Sequence, residues 1–119
     1  MHSGTQNIQI RTKNFSLQII RLYPHLSNEP AAQIIGNQLL RSATSVGAHV
    51  REGKHSRSAA EMFSKISVGL QEMEESRYWL ELLEEGGFAR VGMKELIREA
   101  DELIAILFTS TRTLKQSLR

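Results

Sequence analysis

The chain has 119 residues, 40% of them apolar and 24% charged, the balance of one globular domain spanning 1–119 rather than of a disordered segment. It has no cysteine, which excludes disulfides, thiolate metal sites and cysteine nucleophiles. The net charge is only +2 but uneven. It is +3 over Arg41–Arg57, where Arg41, Arg51, Lys54 and Arg57 are opposed by Glu52 alone, and −5 over Glu72–Glu85, where Arg77 stands among six glutamates. No run of 18 apolar residues and no apolar leader is present, so the expectation is a cytoplasmic protein without a membrane role.

Apolar periodicity and punctuation predict four helices, at about 12–23, 29–52, 58–85 and 93–118, and an all-α chain. In the first, Phe15, Ile19 and Leu22 recur at i, i+4, i+7, and Pro24 ends the pattern. Ile8–Arg11 before it alternates like a short strand but has no partner. The second carries the stripe Ile35, Leu39, Ala43, Val46, Val50. It is studded with the small residues Gly36, Ser42, Ser45, Gly47 and Ala48. A glycine in a helix costs about 1 kcal/mol against alanine, so close helix packing is expected in compensation. Gly53 reads as the residue just past the helix end.

The third helix opens on Ser58-Ala59-Ala60-Glu61, a capping box. Its seam runs through Ala59, Phe63, Ile66, Leu70, Met73 and Leu80, is interrupted by Arg77, and stops at Gly86-Gly87. Arg77 is expected to pair with Glu74 or Glu81, and the adjacent Tyr78 and Trp79 to point to different sides. The fourth keeps 3-4 spacing through Ile97, Ala100, Ile104, Leu107, Thr111, Leu114 and Leu118. Its segment Leu103–Phe108 is six apolar residues long and covers the whole circumference. A lone bundle buries one face per helix, so this girdle predicts a second covering surface, most simply another copy of the chain. The interface candidates are Ser42, Ser45, Gly47, Arg77, Trp79, Leu103, Ile106 and Phe108.

No phosphate-binding glycine loop, nucleophile elbow or oriented catalytic serine is present, and the expectation is a protein that is not an enzyme and has no cofactor. Glu52-x-x-His55 has the spacing of di-iron bundles, but one copy does not make such a site, so no metal is expected. Arg51 with His55, and Arg21 with His25, resemble the pairs of helical ribonucleases. Gly53 and Pro24 interrupt them. What remains is phosphate contact. His49, Arg51, Lys54, His55 and Arg57 gather at the turn between the second and third helices, with Arg41 about three turns back. These are the candidate nucleic-acid-binding residues for RNA or DNA. The alternative is an interaction module whose protein partner docks on the acidic end of the third helix.

Gln38–Gly53, QLLRSATSVGAHVREG, resembles the most characteristic segment of the small four-helix-bundle proteins encoded in intervening sequences of bacterial 23S rRNA genes. Glu75–Leu83, Phe63–Ile66 and Leu22–Pro24 also fit that family's pattern. His49 stands where the family has Asn, and Ser76 where it has Thr. The resemblance implies an antiparallel up-down four-helix bundle assembling as a ring-like homo-oligomer, a homopentamer. It also implies similarity to the accessory proteins of diversity-generating retroelements, which bind nucleic acid and a reverse transcriptase, and no enzymatic activity.

Overall fold

The computed structural model describes residues 4–89 and 92–118. Four helices follow one another: α1 Gly4–Leu22, α2 Pro30–Lys54, α3 Ala59–Glu85 and α4 Lys94–Ser117, with a 3-10 turn at Tyr23–His25. Among the described residues there is no strand, and the one β-bridge joins Leu26 to Ala89. Each helix packs against the next in sequence. α2 and α3 form the most extensive pairing, and the contact between α1 and α4 is slight. The bridge, together with the bond from the Ser27 N–H to the Phe88 carbonyl at 2.8 Å, ties the α1–α2 and α3–α4 connections together at one end. The α2–α3 turn lies at the other.

α1 begins earlier than its periodicity suggests. Its buried line is Ile8, Thr12, Phe15, Ile19, Leu22, a regular 4-3-4-3 spacing that takes in the segment read as strand-like. Thr12 hides the pattern in the sequence because it is polar. It is nevertheless fully buried, its hydroxyl donating to the Ile8 carbonyl at 2.8 Å. Pro30 opens α2 at a position whose N–H would have had no helical partner. Ser58 caps α3 as expected, accepting from the Glu61 N–H at 3.1 Å. The return arm of the box differs by one residue: Glu61 accepts from the Arg57 N–H, not from that of Ser58. At the other end of α3, Gly87 takes φ 71°, and the N–H groups of Gly87 and Phe88 close onto the carbonyls of Glu84 and Leu83. This reciprocal closure satisfies two orphan carbonyls.

Gly53 corrects the expectation for the end of α2. The helix runs through it to Lys54, and Gly53 is buried. A Cβ there would sit 3.0 Å from Ile66 Cδ1, so the glycine admits α3 rather than ending α2. Three levels join these two helices. Gly53 meets Ile66, Gly69 lies against Val46 and His49, and the hydroxyls of Ser42 and Ser76 stand 2.8 Å apart in the interior. The seam of α3 accordingly passes through Ser76, not Arg77, which stands at its edge. Similarly, α4 buries Ala100, Leu103, Leu107 and Thr111, one position off the expected line at Ile104.

α4 is held on both flanks by arginines at a single turn. Arg11 of α1 makes a fork to Glu99 at 2.6 and 3.1 Å and reaches Glu102 at 2.8 Å. These bonds, to Glu99 first, hold the guanidinium pKa above its ordinary value. Arg77 of α3 bonds Asp101 at 2.9 Å and Glu81 at 3.1 Å, with the same effect.

Candidate functional site

The small outer residues of α2 and the polar flank of α1 leave an open groove of about 510 Å³ between these helices. Gln9, Lys13 and Ser16 form one wall, and Thr44, Ala48, Arg51 and His55 the other. Gly47 lies at the bottom, where a Cβ would stand 3.6 Å from Ser16 Oγ and from the Thr12 carbonyl. At one end Ser16 donates to the Ala43 carbonyl at 2.9 Å and draws the helices together. The other end reaches the α2–α3 turn. Glu52 on the rim is engaged by Lys65 at 3.1 Å.

The structure separates the predicted basic residues into two groups. Arg41, Arg51, Lys54, His55 and Arg57 are all exposed, and among the described residues none of their side chains makes an ion pair. Because α2 continues through Gly53 to Lys54, Arg51 and the capping residue His55 line the same wall of the groove. The interruption expected from the glycine does not occur. Arg41 lies on the outer surface beside Ile34. His49 belongs elsewhere: half-buried against α3, its Nδ1 donates to Glu72 at 2.7 Å and to the Ser45 carbonyl at 3.0 Å. Its place in a cationic surface is corrected accordingly. Glu52 is engaged by Lys65, and His55 lies beyond the last residue of α2. Among the described residues no group of three or more His, Cys, Asp or Glu side chains comes together.

The interface candidates also divide. Ser42 is buried and bonded to Ser76, and Gly47 faces α1, so the small-residue seam is filled by the chain itself. Leu103 is fully buried in the protomer and is a core residue, not a surface one. Ser45 is half-buried beside the His49 ring it accepts from. Arg77 makes the expected pair with Glu81 and, unforeseen, one with Asp101, but none with Glu74. Trp79 packs half-buried on the core while Tyr78 is 52% exposed, their rings tilted at 58°. Of the α4 girdle, Ile104 and Ile106 are half-buried and Phe108 is 51% exposed, with Arg112 over its ring. Ile104 and Tyr78 meet across a shallow groove that Glu74, Arg77 and Glu81 border.

Sequence reasoning missed the α1 wall. Gln9 joins the site because α1 starts early, Lys13 because that flank of α1 meets α2, and nothing in their local pattern marks them.

A family model described as 23S rRNA-intervening sequence protein matches residues 6–109. The chain belongs to this family. A crystal structure of a protein of unknown function from the S23 ribosomal protein family of Bacteroides thetaiotaomicron superposes with a TM-score of 0.80 at 28% identity. The match covers 91% of this chain and 97% of that one. No curated protein matches. The family assignment agrees with the four-helix architecture and with the motifs of Gln38–Gly53 and Glu75–Leu83. Among the described residues no helix is long and apolar enough to cross a membrane.

Proposed function

We propose that this family member is a non-enzymatic, cytoplasmic accessory protein that binds nucleic acid through the outer face of α2 and the α2–α3 turn. One observation carries the reading. The arginines and the lysine engaged in ion pairs, Arg11, Lys65 and Arg77, hold helices together, whereas Arg41, Arg51, Lys54 and Arg57 are exposed and, among the described residues, make no ion pair. Each such cation that meets a phosphate releases a counterion, so binding falls with salt at a slope of about −0.7 per contact on single strands. The triple variant R51A/K54A/R57A is expected to weaken RNA binding in low salt and to flatten the salt slope by about 2. Equal affinity and slope for variant and parent would overturn the proposal.

We further propose that the chain assembles with copies of itself, in the ring of five that the family resemblance implies. Support comes from the aromatic and aliphatic groups left exposed along α3 and α4, Tyr78 and Phe108 above all. Sedimentation of a monomer at all concentrations would remove this part. Docking of a protein partner on the acidic end of α3 would instead appear as binding that survives the triple substitution.

A further inference from the structure

We propose that the α1–α2 groove is a pocket for a terminal phosphate: the phosphomonoester of a nucleic-acid strand end or of a free nucleoside monophosphate. This inference rests on the nucleic-acid reading above and sharpens it. The groove holds two full cations from opposite walls, Lys13 and Arg51, with His55 beside them. Among the described residues none of the three side chains is committed to an ion pair. The one carboxylate on the rim, Glu52, is held by Lys65. A phosphomonoester carries a charge of roughly −1.5 to −2 at neutral pH and matches two cations, where an internal diester carries only one charge.

Shape points the same way. The bond from Ser16 to the Ala43 carbonyl draws the two helices together at one end of the groove, so the depression stops there. The other end reaches the α2–α3 turn, which carries the exposed Lys54 and Arg57. The volume of about 510 Å³ is in the range of a small-ligand site and admits one nucleotide unit with its phosphate. Ala48 and Gly47 keep that space empty. Larger side chains there would fill it.

The test uses RNA octamers of one sequence, with terminal phosphate or with hydroxyl ends, titrated against the whole protein by fluorescence anisotropy. The phosphorylated octamer is expected to bind at least about tenfold tighter. K13A is expected to abolish this preference. A48L, which blocks the groove without changing charge on an exposed helix position, should do so too. R57A, outside the groove, should weaken both octamers and keep the preference. Adenosine monophosphate is then added as competitor. Displacement assigns the site to free nucleotides as well as strand ends, and no displacement with the preference intact assigns it to strand ends. Either result supports the pocket. Equal binding of the two octamers by the parent, or a preference unchanged in both K13A and A48L, overturns it. If the octamers bind equally and with strong salt dependence, the pocket fails alone; if no RNA binds, the broader reading fails with it.

Discussion

Replacing Gly47 by alanine separates packing within the chain from packing between chains. Gly47 lies in the middle of α2, where glycine is less favourable than alanine by about 1 kcal/mol. That gain survives only if the new methyl meets no obstacle. Its nearest neighbours would be Ser16 Oγ and the Thr12 carbonyl oxygen, both at 3.6 Å, an ordinary van der Waals separation. No side chain need move, so the whole propensity gain is retained: G47A is expected to be more stable by about 1 kcal/mol. For a domain of this length that is a rise in Tm of roughly 3–5 °C. Urea unfolding should show a higher midpoint at unchanged slope. A loss of stability would refute the reasoning, because it would mean that α1 presses on this position harder than the geometry allows. A G47A protein that sediments more slowly than its parent would show instead that a neighbouring copy uses the space.

The interior serines answer to a double-mutant cycle. Each keeps a carbonyl on its own helix, Leu39 at 3.3 Å for Ser42 and Glu72 at 2.9 Å for Ser76, so S42A and S76A should each cost only about 1 kcal/mol in chemical denaturation. The double variant should be no worse than either single by more than a few tenths of that, giving a coupling of about 1 kcal/mol. L103A empties a fully buried position and is expected to cost about 2–5 kcal/mol, whereas F108A should change unfolding by less than about 0.5 kcal/mol and act on sedimentation instead. R11A should cost about 1 kcal/mol at low ionic strength and less in molar salt, since it removes a half-exposed fork to Glu99 and Glu102, while R57A should be near neutral under both conditions.

Helix ends were readable in the sequence wherever a residue type has one mechanical use. Pro24 ends the regular part of α1, Ser58 with Glu61 starts α3, and Gly86-Gly87 stops it. Seam positions were less readable, and one cause accounts for most of the shifts. Thr12, Ser42 and Ser76 are polar by type yet buried, because each hydroxyl finds a partner in the core: Thr12 donates to a carbonyl four residues earlier, and of Ser42 and Ser76 one donates to the other while the second turns back to its own helix. Such residues imitate a surface face and push the apparent stripe sideways, from Ser76 to Arg77 and from Thr12 toward a late helix start. The cationic turn was legible because charge at a turn is local information. The groove was not, since it depends on which flank of α1 meets α2, and Lys13 carries no mark of that. His49 failed for a related reason: its partner Glu72 lies 23 residues away and only the packing of α2 on α3 unites them.

The wall that bears Lys13 is also the part of the bundle with the fewest neighbours. α1 leans on α2 and barely meets α4 except through the Arg11 fork. The span between the two walls is nevertheless fixed, by the Ser16 bond to the Ala43 carbonyl and by Phe15 and Ile19 buried beneath it, so a guest would be met by side chains and not by a displaced helix. Arg11 ties the same helix to α4 from a position that does not line the groove.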